Sequence, residues 1–162
     1  MISLKKNNKG FTIVELLIVI VVIGILALLV VTTYGGIQAK ARNAKRGADM
    51  SAVQTQLEAF FSQNGYYPSL TDMNTATWLS INMKSLDTGA LIDPSNPTQS
   101  KLLVNPAVAK SYGYVVTDAA GASCETTDTN CAQYTLTATY EGTVNGATTD
   151  VKKNLDWLSS LN

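Results

Sequence analysis

From Phe11 to Val31 the chain runs 21 residues with a single charged group, Glu15. Wound as a helix, such a run spans about 30 Å, the hydrocarbon thickness of a bilayer. The whole chain has 162 residues, so roughly a hundred remain for a modest globular core. The run is therefore expected to cross a membrane and to carry one small head. A cleaved secretory signal peptide fits the lysines in front of it. That reading, however, needs a shorter apolar region and a small-x-small site, which is missing before the polar stem. An ordinary signal anchor is the other simple reading. Neither accounts for a carboxylate inside the run.

Basic and acidic residues number 12 each, but they are unevenly placed. Lys5, Lys6 and Lys9 precede the run, and Lys40, Arg42, Lys45 and Arg46 follow it. From Gly47 onward five basic residues stand against eleven acidic ones, a net charge of −6, so a basic stem carries an acidic head. The sequence has no histidine, the commonest general base and metal ligand, which weakens hydrolase and metalloenzyme readings. Cys124 and Cys131 lie in a polar stretch. In an exported domain they most simply form a disulfide, worth about 2 to 3 kcal/mol for so short a loop; two reduced thiols in a cytosolic loop are the alternative. Charge alone orients the span poorly, with three lysines before it and four basic residues after it. The disulfide reading tips the balance and puts the lysine-rich end in the cytoplasm and the head outside.

Helical character continues past the membrane, because Ile37 to Phe61 lacks proline and is rich in Ala, Lys, Arg, Gln and Glu. Met50, Val53, Leu57, Phe60 and Phe61 form an apolar stripe on one face. The helix is expected to end near Gln63, with Asn64-Gly65 as a left-handed cap and Pro68 blocking continuation. Gly24, Gly35-Gly36 and Gly47 are its weak points. The segment from Tyr66 to Pro106 is read as turn-rich, with one short helix over about Thr71 to Ile81. Alternation predicts strands at Tyr112 to Thr117 and Tyr134 to Tyr140 on either side of the cysteine loop, and a third from Ala147 to Asn154 after the Asn145-Gly146 turn. The fold class is α+β: a long N-terminal helix packed on a small antiparallel sheet.

The stretch Lys9-Gly10-Phe11-Thr12-Ile13-Val14-Glu15-Leu16-Leu17-Ile18-Val19-Ile20 resembles the processing site and helix start of type IV pilins and related pseudopilins. The likeness is close over Lys5 to about Arg46 and loose beyond. It implies that a prepilin peptidase cuts between Gly10 and Phe11 and methylates the new amine of Phe11. Residues 1–10 are then a leader, 11–32 the transmembrane and filament-core helix, 33–64 its amphipathic continuation, and 65–162 a pilin head with a C-terminal disulfide loop. Cutting removes the lysines and creates an ammonium at Phe11 beside the apolar run. Glu15 then acquires a partner. An ionised acid in the bilayer core costs about 2 to 4 kcal/mol, and pairing it in a low-dielectric helix bundle offsets that cost. Glu15 and Phe11 are thus expected to direct assembly; the competing reading leaves Glu15 at the membrane interface, where a carboxylate is tolerated.

The resemblance implies a non-enzymatic subunit without cofactor or metal. It is held in the inner membrane with its head outside, then polymerised by the pilus assembly machinery into an extracellular helical homopolymer for adhesion, twitching motility or DNA uptake. DNA and host surfaces are further candidate partners. A disulfide loop near the C-terminus is a feature of many pilins and favours that reading over a pseudopilin of a type II secretion or competence system. A signal-anchored surface protein that never polymerises is the reading from outside the family. One departure is Thr32, which stands where the family usually has proline about eight residues after the glycine matching Gly24. Melting of the helix between those points, frequent in assembled members, is therefore not expected with the same force. The four basic residues after the span are read as a solvated face or as partners for lipid, DNA or neighbouring acidic heads. Asp87, Asp93 and Asp118 are candidate calcium ligands, but no spaced oxygen-ligand loop surrounds them; Asp87 with Asp93 as a catalytic pair would need a mutual pKa splitting that no sequence shows.

Overall fold

The computed structural model describes residues 10–98, 103–104 and 110–154. The expected leader, apart from Gly10, lies outside the described residues, as do 99–102 and 105–109 of the proline-rich segment. Helix α1 spans Ile13–Asn64 and passes Gly24, Gly35-Gly36 and Gly47 without interruption. Its start is fixed by Thr12, whose Oγ1 accepts the Glu15 N–H at 3.2 Å. Its end comes at Gly65, in the left-handed region at φ 81°, where the Gly65 N–H donates to the Phe61 carbonyl at 2.7 Å.

The chain divides into two compact units, Met1–Ala39 and Lys40–Asn162. In the first, every residue from Gly10 to Val31 is exposed, including Ile13 at 86% and Phe11 at 77%. No described residue of the unit covers this apolar surface. In the second, the stripe on α1 is buried as its spacing requires: Met50, Val53, Leu57 and Phe60 are at most 5% exposed. Phe61 is half-buried and stacks on Tyr67 at 4.5 Å.

After α1 come α2 (Leu70–Met73), α3 (Ala76–Asn82) and a 3₁₀ turn at Thr88–Leu91. Ser69 opens α2 with a complete capping box, its hydroxyl taking the Asp72 N–H while the Asp72 carboxylate takes the Ser69 N–H. The single helix expected from Thr71 to Ile81 is broken at Asn74. That side chain is committed elsewhere: its amide donates to the Leu103 carbonyl at 2.9 Å and its Oδ1 accepts the Leu103 N–H at 2.8 Å. Leu103 belongs to β1 (Leu103–Val104), a strand where the sequence predicts irregular, turn-rich chain.

The sheet runs β1-β2-β3-β4, with β2 at Tyr112–Asp118, β3 at Cys131–Val144 and β4 at Ala147–Lys153. β2, β3 and β4 pair antiparallel as expected, whereas the short edge strand β1 pairs parallel to β2. Asn145 and Gly146 both have positive φ, 51° and 83°, which closes the β3–β4 hairpin with its twist matched to the strands. The inward side chains Tyr112, Tyr114, Val116, Tyr134, Leu136 and Ala138 meet the α1 stripe in one core. Where tyrosine hydroxyls enter that core they find acceptors. Glu58 takes Tyr134 at 2.9 Å and Tyr67 at 3.1 Å, and the Pro68 carbonyl takes Tyr114 at 2.7 Å.

Candidate functional site

The sequence pointed to the N-terminal junction, and the structure gives it a definite local form. Gly10, Phe11 and Thr12 precede the helix in non-helical backbone, all exposed. Thr12 caps, Ile13 is the first helical residue, and Glu15 falls in the first turn. A carboxylate there lies at the positive end of the helix dipole, which supplies part of the compensation that the sequence reading assigned to the Phe11 amine alone. The Thr12-Ile13-Val14-Glu15 spacing is a capping-box signature, legible from sequence and overlooked there. A Cβ built on Gly10 meets nothing within 4 Å, and the same is true of Gly24. Neither glycine is required by this chain's own packing.

Cys124 and Cys131 are joined by a disulfide, with their Cα atoms 5.9 Å apart. The bridge sits at the start of β3, where the Cys131 carbonyl accepts the Tyr67 N–H at 2.9 Å and the Cys124 N–H donates to Val116 at 3.2 Å. It therefore ties the loop after β2 to the turn that ends α1.

Of the basic residues after the apolar run, Lys40 and Lys45 are exposed, as a solvated face requires, whereas Arg42 is half-buried and Arg46 buried. Arg46 is 1% exposed and forms a fork with Asp93, Nε to Oδ2 at 2.8 Å and Nη2 to Oδ1 at 2.9 Å. It also donates to Asn43, Ser95 and Glu141. Arg42 pairs with Glu141 through both its Nε and its Nη2. Asn43 behaves as a strand partner, its amide donating to the Glu141 carbonyl at 3.0 Å while its Oδ1 takes the Glu141 N–H at 2.9 Å. Lys45 bridges to Asp49 at 2.9 Å, and Asp49 also accepts the buried Tyr112 hydroxyl at 2.9 Å. One polar lock thus joins α1, the Asp93–Ser95 turn and β3. The three aspartates weighed as calcium ligands are all engaged locally: Asp93 by Arg46, Asp87 by the Gly89 N–H, and Asp118 by the Ala120 and Ala122 N–H groups.

The lock sets the ionisation of its acids. The Arg42 fork, helped by Ser95 and Arg46, holds the Glu141 carboxyl down to about 2 against opposing desolvation. Burial pushes Asp93 up, but Arg46 and the Ser95 amide together bring it below its ordinary value. Burial, then the bond to Asp49, raises the Tyr112 phenol. Because the folded values of Glu141 and Asp93 lie below their unfolded ones, their stabilisation is complete above about pH 4.5 to 5 and is lost as pH falls toward 2. The melting temperature of the detergent-solubilised chain is expected to fall steadily between pH 5 and pH 3. Glu141→Gln should melt lower at pH 7 and show a shallower acid slope; an unchanged slope would contradict this assignment.

An apolar helix that no described residue of its own unit covers, a glycine-phenylalanine junction with an acid four residues on, and a small α+β head make a pilin-like architecture. Residues 5–31 match the prokaryotic N-terminal methylation motif. The chain is 36% identical over 66 residues to the type II secretion system core protein G of Dickeya chrysanthemi, covering 41% of this chain and 43% of that one. It is 39% identical over 63 residues to core protein G of Escherichia coli K12, covering 39% and 43%. It is 35% identical over 61 residues to the type IV major pilin PilA of Myxococcus xanthus, covering 38% and 28%. The chain spans less than half the length of these curated relatives. No solved structure matches it. Pilins and pseudopilins are structural subunits, not enzymes, and a prepilin motif in front of an apolar helix fits a membrane-anchored protein.

Proposed function

We propose that the chain is the structural subunit of a type IV pilus, stored in the membrane and polymerised through α1 into an extracellular filament. The observation that carries this is the bare apolar surface from Phe11 to Val31. So much exposed hydrocarbon needs lipid before assembly and neighbouring helices after it. In this reading residues 1–10 form the leader. A peptidase cuts at Gly10, where the glycine answers to the enzyme's cleft rather than to this chain's packing, and Phe11 carries the methylated amine. Glu15 pairs with the Phe11 ammonium of its own or a neighbouring chain and sets the axial register. Gly24, equally unconstrained within one chain, suits close approach of a neighbouring helix.

The second reading is a pseudopilin, supported by the relatives named as type II secretion core protein G. The disulfide-pinned loop favours the pilus, because a long surface filament exposes its heads to conditions that such a bridge withstands. Electron microscopy of material sheared from the cell surface separates the two. Long filaments carrying this chain are expected; only short, cell-bound assemblies would support the pseudopilin.

A further inference from the structure

A cleft of about 570 Å³ opens in front of the polar lock, lined by Arg42, Arg46, Pro94, Ser95, Lys110, Thr139, Tyr140 and Glu141. Three cations face one carboxylate there, with Asp93 behind Arg46. Arg46 and Arg42 are paired within the chain, whereas Lys110 has no ion-pair partner among the described residues. Its backbone is also unusual: φ is 61°, a left-handed conformation that disfavours a side chain and would suit glycine. Lys110 is exposed and lines a cleft rich in N–H and O–H donors.

Resting on the filament reading above, we infer that this cleft is an intersubunit socket for a carboxylate of a second copy of this chain, supplied by its disulfide loop. The occupant follows from charge. From Gly47 onward the chain carries a net −6, and within the loop closed by Cys124 and Cys131, Glu125 is exposed and has no ion-pair partner among the described residues. Lys110 receives that carboxylate, while Glu141 stays bound to both arginines. Socket and loop are different surfaces, so the contact is head-to-tail and does not close on itself as a symmetric dimer would. A contact of this kind repeats along a filament.

The test uses the full chain assembled in its host. Zero-length carbodiimide coupling of sheared filaments is expected to join Lys110 to Glu125 across chains, and to leave the detergent-solubilised monomer uncoupled at those residues. Lys110→Glu and Glu125→Lys should each lower filament yield about three- to tenfold, the scale of reversing one exposed ion pair, and the double exchange should restore it. Filaments at unaltered yield from both single exchanges, with no Lys110 coupling, would overturn the socket and leave the filament reading standing. Absence of filaments from the unaltered chain would overturn both.

Discussion

Glu15→Ala, expressed as the sole subunit, is expected to insert in the membrane and lose its leader normally, yet to yield at least about tenfold fewer filaments. Insertion depends on the apolar run, and removing a carboxylate only makes that run more favourable in lipid. Assembly is different. In the proposed filament each added subunit moves its helix from lipid into a bundle of like helices, where apolar contact alone distinguishes poorly between one axial position and the next. A charge pair in that low-dielectric setting does distinguish them, and losing about 1.4 kcal/mol per addition already costs a factor of ten. Glu15→Gln separates charge from hydrogen bonding, and Thr12→Ala reports on the cap. If the cap alone mattered, Glu15→Gln would assemble normally and Thr12→Ala would not. Wild-type yield from Glu15→Ala would remove Glu15 from the account.

The second large effect is expected in the head. Arg46→Ala leaves Asp93, itself 1% exposed, buried without its counter-charge. Breaking such a pair from one side costs about 3 to 5 kcal/mol, a large share of the stability of a small domain. The Asp93–Ser95 turn and β3 lose their common anchor on α1 in the same step. Chemical denaturation of the detergent-solubilised chain, followed by tyrosine fluorescence, measures the loss. Arg46→Met combined with Asp93→Leu is expected to recover much of it, because replacing a buried pair with apolar groups of similar volume is often close to neutral. If Arg46→Ala shifted stability by less than about 1 kcal/mol, the lock would be an incidental surface pair.

Much of the fold was legible because two periodicities carry it. The 3-4 spacing of Met50, Val53, Leu57 and Phe60 fixed the buried face of α1, and alternation through Tyr112–Val116 and Tyr134–Ala138 fixed the inward face of the sheet. The polar lock escaped that reading although the same spacing runs back through it: Asn43 and Arg46 precede Met50 at the same intervals of three and four. Polar residues at these positions add nothing to an apolar pattern, and they are buried because partners remote in sequence meet them. Asp93 lies 47 residues from Arg46, and the Asn43 and Glu141 partners are 98 apart. No local pattern shows such pairings. β1 was hidden for the same reason: two residues held by β2 on one side and by the Asn74 amide on the other have no period of their own. At the N-terminal junction the residues are legible, and so is the capping spacing of Thr12 and Glu15. The glycine, the phenylalanine and the acid stand out together, and the Thr12 hydroxyl sets where the helix begins.

We propose that a cut at Gly10 makes the mature subunit and creates the amine that Glu15 meets. The most direct test is mass spectrometry of the N-terminal peptide of the protein recovered from its host. A chain beginning at Phe11 with one methyl group on its α-amine is expected. A chain that keeps Lys5, Lys6 and Lys9 ahead of Gly10, or one cut beyond Glu15, would contradict it.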